Sequence, residues 1–263
     1  MSSVSRANRT EVGRFRRDGE LMNTNTTNAA TNDTTDTANI PNTDTDTDRA
    51  GRLDPSDPRW MFGHAVGTAT ATISRVRPEQ FGLTTPCEEY DVRALIGHLV
   101  TVLDRVAALG DGTDPMAFPL VVTGIADDGW TDRWLAGAHE VQRAWADSAT
   151  LERMMTLPWA QQPGARMLAV YTNEVSVHTW DLAVATGQQP VWNEAVLAVA
   201  FAAIQASMPA GGRRARFEEM VRNAPLGRLI SQPPYGEALD AAADAPLIDR
   251  LVAWNGRDPQ LLR

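Results

Sequence analysis

The sequence predicts an all-α fold, a four-helix bundle with helical additions at its C-terminal end, on three observations. Four long segments between residues 59 and 186 read as helices, and the clearest carries apolar side chains at helical spacing. Capping aspartates and terminal glycines punctuate these segments at intervals that leave only short connections. One brief stretch, Met154 to Trp159, reads as extended.

Residues 1–54 stand apart from that pattern. From Asn23 to Asp48 nearly every residue is Thr, Asn or Asp, and ordering them costs backbone entropy that no burial offsets. The sequence therefore predicts a disordered tail, with a single globular domain over 55–263. Arg14, Arg16 and Arg17 make the start mildly basic, but Glu11, Asp18 and Glu20 accompany them and no apolar core for a signal peptide follows, so secretion is not expected. Met22 is an alternative start.

Ordered structure is expected from Asp54, where Asp54, Ser56 and Asp57 offer cap oxygens and Pro58 suits a first helical turn. The first helix is predicted over Arg59–Val76. Pro78, Gly82 and Pro86 make Pro78–Tyr90 a connecting loop. Asp91 caps the second helix, in which Val92, Leu95, Ile96, Leu99, Leu103 and Val106 form one stripe that is predicted to end at Gly110. After a loop to Pro119, Asp127 or Asp128 is expected to cap a third helix through Trp130, Trp134, Leu135, Ala138, Val141 and Trp145. The fourth, Ala165–Thr186, stops at Gly187. Val170, Val177 and Val184 lie opposite Leu168, Tyr171, Val175 and Leu182, so both sides are apolar, as in a helix surrounded by others. A further helix over Asn193–Met208, a flexible turn at Ala210–Arg214, a weakly patterned region and a short helix over Leu247–Trp254 complete the chain. No internal repeat is present.

Composition narrows the function. No apolar run is long enough for a membrane span. The formal net charge is −9 and the arginines are scattered, which disfavours nucleic acid and favours small-molecule partners. The single cysteine, Cys87, allows no intrachain disulfide and suits a reducing compartment, so the expected location is cytoplasmic. Every basic residue is arginine, a trait of GC-rich coding.

Glu174 and His178 are four residues apart on the fourth helix and project from one face about 6 Å apart, within reach of one ion. At 100° per residue His178 borders the Leu168–Tyr171–Val175–Leu182 stripe, with Glu174 and Asp181 one step further round. His98 flanks the stripe of the second helix in the same way. Two imidazoles and a carboxylate suit Zn²⁺ and are acceptable to Ni²⁺, Mn²⁺ or Fe²⁺, and three protein ligands leave positions for a guest. The spacing by itself equally fits a chance pair on a helix. Asp181 fits either a residue that orients a ligand or a surface ion pair. His64 and His139 lack a carboxylate at ligand spacing and read as surface or packing residues. Cys87, with nothing near in sequence to lower its pKa, reads as structural. Trp130, Trp134, Trp145, Trp159 and Trp180 read chiefly as packing.

The segments TPCEEYDVRALIGHLV, Thr85 to Val100, and YTNEVSVHTWDLAVATGQQP, Tyr171 to Pro190, resemble the two signature stretches of an actinobacterial metal-binding family. That family belongs to the DinB/YfiT-like metalloenzymes and is related to mycothiol-dependent maleylpyruvate isomerase. The closing YGEALDAAADAPLIDRLVAWNGRDP is similar to the family's C-terminal end, so the likeness runs from about Arg59 to Pro259. The resemblance implies a DinB/YfiT-like four-helix bundle with His98, Glu174 and His178 as metal ligands and Asp181 as a possible supporting residue. It implies a divalent metal, most readily zinc, with mycothiol as a thiol cosubstrate whose thiolate attacks a small electrophile, in an S-transferase or an isomerase. It identifies no general base. Two other readings stay open: a non-catalytic zinc-binding regulatory module, and a metal-dependent hydrolase.

Overall fold

The computed structural model describes residues 53–223 and 235–262. The predicted tail lies outside the described residues, apart from Leu53 and Asp54. The chain divides into Met1–Asp48 and Arg49–Arg263, and every described residue belongs to the second unit.

Among the described residues the fold is all-α with one small hairpin. Helix α1 spans Pro58–Ile73, with the Asp57 carboxylate accepting from the Arg59 N–H at 2.8 Å and Pro58 in the first turn. It ends three residues before the predicted Val76, because Arg75 and Val76 bond to the carbonyls of Thr72 and Ile73, three residues back, and tighten the chain toward Pro78. The predicted loop follows, holding a 3₁₀ turn at Pro78–Gln80 and a lone bridge between Thr84 and Asp91.

Helix α2, Val92–Asp111, opens as predicted on Asp91, whose carboxylate accepts from the Ala94 N–H at 2.8 Å. It runs through Gly110 instead of ending there. A Cβ at Gly110 would lie 2.7 Å from the Trp145 ring, so this glycine serves close packing inside the helix, while Gly112, at φ 74°, forms the left-handed cap. Helix α3, Trp130–Ala144, also departs from prediction at its start. Gly129 is the N-cap residue, and Asp127 is drawn instead to Arg93 on α2.

After the short helix α4, Ala149–Glu152, strands β1 (Met154–Leu157) and β2 (Ala160–Pro163) pair antiparallel, with Met154 opposite Pro163 and Leu157 opposite Ala160. The predicted extended piece is thus one arm of a hairpin turning at Pro158 and Trp159. Helix α5, Gly164–Thr186, ends at Gly187 as expected, and α6, Glu194–Ser207, begins on Asn193. Helix α7, Arg213–Asn223, takes Arg213 and Arg214 from the predicted turn and continues into the weakly patterned region, and α8 spans Leu247–Trp254.

Helix α5 is the centre of the molecule, packing against α1, α2, α6 and α8. Its Val175, Val177, Trp180 and Leu182 are fully buried on different sides, as the two-sided apolar pattern requires. On the α2 side it meets Leu95, Ile96, Leu99 and Leu103 in the main core; Val177 meets Leu197, Ile204 and Leu251 in a second cluster. Each such side chain contributes about 1.5–3 kcal/mol by burial. Trp134 and Trp145 are core residues whose indole N–H groups donate to Thr70 Oγ1 and the Val106 carbonyl, each at 2.8 Å. Among the described residues no helix is long and apolar enough to cross a membrane.

Candidate metal centre

The facing sides of α2 and α5 bring His98, Glu174 and His178 together, with donor atoms all within 4.8 Å of one another. Nε2 of His98 lies 3.3 Å from Glu174 Oε1, and Nε2 of His178 lies 3.5 Å from the same oxygen. Donors about 2.1 Å from a tetrahedral ion lie about 3.4 Å from each other, so the spacing suits a Zn²⁺-sized ion. The two rings meet edge to face, with centroids 5.0 Å apart.

The far nitrogen of each ring fixes its orientation. His98 Nδ1 donates to the Leu120 carbonyl at 2.9 Å, and His178 Nδ1 donates to Asp181 Oδ2 at 3.0 Å. Both acceptors lack protons, so each Nδ1 carries a hydrogen, and in the neutral imidazole the lone pair then sits on Nε2, facing the centre. Tyr90 stacks on His98 at 5.1 Å. Leu120 reaches its position because Val121 and Val122 lie directly on Gly97, where the Val122 N–H donates to the Gly97 carbonyl at 3.1 Å.

Asp181 is fully buried and its charge is met by Arg257, whose Nη2 and Nε stand 3.1 and 3.3 Å from the two carboxylate oxygens. It is hydrogen-bonded to His178 and is not part of a surface ion pair. Glu174 Oε2 accepts from the Tyr235 hydroxyl. Below it, Asn173 and Asn255 exchange side-chain amide bonds at 2.9 and 3.3 Å. Three side chains from the C-terminal segment therefore close over this face of α5. Sequence reasoning singled out none of them, although all three fall within the closing stretch that carries the resemblance.

Electrostatics follow the same contacts. Burial opposes the charge on Glu174, yet hydrogen bonds from His178 and His98 hold its carboxyl well below the ordinary range. Burial likewise works against charge on His178, and the bonds to Asp181 and Glu174 override it, raising its pKa to about 9. Glu174 is the most exposed of the three, at 19% against 10% for His98 and 4% for His178, so access to the centre is on the glutamate's side.

A second group, Cys87, His178 and Asp181, also converges. It suits an ion less well, because burial pushes the Cys87 thiol up to about 12 and both Asp181 oxygens are already engaged. His64 stacks against Trp60 with centroids 3.8 Å apart, and His139 is exposed; neither joins the centre. A cavity of about 780 Å³ between α1 and α3 contains none of the converging residues.

Residues 62–183 match the family described as the mycothiol maleylpyruvate isomerase N-terminal domain, a span that holds His98, Glu174, His178 and Asp181 but not Tyr235, Asn255 or Arg257. The chain is 30% identical over 133 residues to uncharacterised proteins from two strains of Mycobacterium tuberculosis, an alignment covering 50% of this chain and 69% of each relative. No solved structure matches it. By family match and by relatives, the chain belongs to the mycothiol maleylpyruvate isomerase N-terminal domain family, a mycothiol-related metal-binding family.

Proposed function

We propose that His98, Glu174 and His178 hold a divalent ion, Zn²⁺ first among the candidates, and that the protein uses mycothiol as a cosubstrate in an S-transferase or isomerase reaction on a small electrophile. The observation that carries this reading is the convergence of two histidine Nε2 atoms on one glutamate oxygen at 3.3 and 3.5 Å, with both opposite nitrogens tied down. Such an ion supplies Lewis acidity, which lowers the pKa of a thiol in contact with it.

The chain's own residues do the rest. Leu120 and Asp181 keep the imidazoles in the ligating tautomer, and Arg257 keeps Asp181 charged and in place. Tyr235 occupies Glu174 Oε2, leaving Oε1 as the oxygen that faces both histidines. Tyr90 and the surrounding apolar core exclude water from the His98 side. Cys87, protonated and half-buried, does not compete as a thiolate. Dependence on a low-molecular-weight thiol fits a reducing cytoplasm and a chain with one cysteine.

Elemental analysis of the purified protein beside His98→Ala, Glu174→Ala and His178→Ala tests the site. Loss of metal in each folded variant is expected, and full retention in all three refutes it. Titration with mycothiol, followed by turnover of electrophiles, tests the reaction. Absence of both binding and turnover refutes the thiol reading while leaving the metal untouched.

A further inference from the structure

Arg105 lies on α2 seven residues beyond His98, close to two full turns and so on the same helix face. It is 9% exposed. Its Nη2 donates to the carbonyls of Phe118 at 3.3 Å and Pro119 at 3.5 Å, and His98 donates to the carbonyl of the next residue, Leu120. One three-residue stretch therefore accepts from both the guanidinium and the imidazole. Tyr90, which stacks on His98, and Tyr171 both feel the Glu174 carboxylate and the Arg105 guanidinium.

The cation has no counter-charge among the described residues. Glu174 is taken by His98, His178 and Tyr235, and Asp181 by His178 and Arg257. Arg257 shows the contrast: equally buried, it is met by a carboxylate. A guanidinium has five N–H donors, and here Nε is buried with no partner while only Nη2 is engaged, by two neutral carbonyls at long range. Removing a guanidinium from water without an anion is costly, and a carboxylate replacing the two long carbonyl contacts would take Nη2 together with the unpaired Nε in the side-on, two-oxygen geometry.

We propose that Arg105 is an anion subsite beside the metal centre, taking the carboxylate of a small ligand whose reacting end lies over His98, Glu174 and His178. The second half of that statement rests on the metal reading; the carboxylate subsite stands without it. Benzoate and benzamide, equal in size and shape but different in charge, are suitable probes. Each is titrated into the full chain by ligand-observed NMR, once stripped of metal by chelator and once loaded with Zn²⁺. Benzoate is expected to bind at least about tenfold more tightly than benzamide in both forms. That preference is lost in Arg105→Gln and partly kept in Arg105→Lys, which retains the charge and, by helical circular dichroism, guards against misreading a misfolded variant.

Equal binding of the two probes to metal-free wild type overturns the subsite, as does a preference that survives Arg105→Gln. A preference present only with Zn²⁺ and indifferent to Arg105 assigns the carboxylate to the ion, which overturns the subsite and leaves the metal reading intact. An Arg105-dependent preference in a protein that takes up no Zn²⁺ supports the subsite and refutes the metal reading.

Discussion

Gly97→Ala joins the packing of the fold to the candidate centre and can be worked through in numbers. A Cβ at this position would come 2.3 Å from the Val122 carbonyl oxygen and 2.8 Å from Val121 Cγ1, so the 120–122 stretch must lift away from α2. Overpacking of this kind costs about 1–3 kcal/mol. Weakening the Val122 N–H bond to the Gly97 carbonyl adds about 0.5–1.5 kcal/mol, and the better helix propensity of alanine returns about 1 kcal/mol. The net loss is about 0.5–3.5 kcal/mol. The larger consequence falls on His98, whose Nδ1 partner is the Leu120 carbonyl in the displaced stretch. Losing the group that orients a metal-binding histidine lowers metal affinity about 10–100-fold. Urea midpoints and chelator competition for Zn²⁺ measure the two effects, with Gly67→Ala as the control. Gly67 is exposed inside α1 with nothing within 4 Å of a new Cβ, so that variant gains about 1 kcal/mol and binds metal normally. Wild-type affinity in Gly97→Ala, or stability equal to that of Gly67→Ala, refutes the reasoning.

His178 supplies a pH signature. Its pKa in the metal-free fold, about 9, stands above the ordinary 6.5, so its contribution to stability is complete below about 6.5 and is lost as pH rises through about 9. The difference in urea midpoint between wild type and His178→Gln, both chelated, should shrink across that window, and a difference that grows contradicts the assignment. Because an ion needs the neutral imidazole, loading Zn²⁺ near pH 7.5 should release a proton from His178 that is not released above about pH 10, seen by calorimetry in buffers of different ionisation heat. Asp181→Asn leaves Arg257 buried without a counter-charge and should cost about 3–5 kcal/mol, part of it recovered by adding Arg257→Met; a cost below 1 kcal/mol on the same urea assay argues against a buried pair. Tyr235→Phe removes the donor to Glu174 Oε2 and should lower Zn²⁺ affinity about tenfold with about 1 kcal/mol of stability lost; unchanged affinity in chelator competition excludes a role for the hydroxyl at the metal.

Local signals made the helices legible. Asp91 and Asp57 act within three residues of themselves, so their caps could be read directly, as could the two-sided apolar pattern of α5. The errors arose where a distant partner decides. Gly110 resembles a helix stop until Trp145, from another helix, is seen to need its missing side chain, and Asp127 resembles a cap until Arg93 claims it. The same division runs through the candidate centre. Glu174 and His178 share a helix face, so their meeting followed from 3.6-residue periodicity. His98 was a candidate from its place beside the stripe of the second helix, and the family resemblance strengthened its tie to the pair, since periodicity cannot say which faces of two helices meet.

What orients the three residues was not legible, because none of it is local. Leu120 offers a backbone carbonyl, which has no residue signature, 22 positions from His98. Tyr235 and Arg257 act across 61 and 76 positions, and a tyrosine or arginine near a chain's end is unremarkable until a buried carboxylate is found opposite it. This division has a chemical consequence. The family span, 62–183, contains every candidate ligand, whereas Tyr235, the partner of Glu174 Oε2, and Arg257, the cation on Asp181, come from beyond it. The candidate ligands thus lie within one bundle, while side chains from outside the matched span hold two of the groups that orient them. Tyr235 decides which glutamate oxygen faces the histidines, and Arg257 decides whether Asp181 can hold His178. On the proposed metal reading, relatives with the same bundle but without a counterpart of Tyr235 or Arg257 should still take up metal, with altered strength and a different side of approach for a guest.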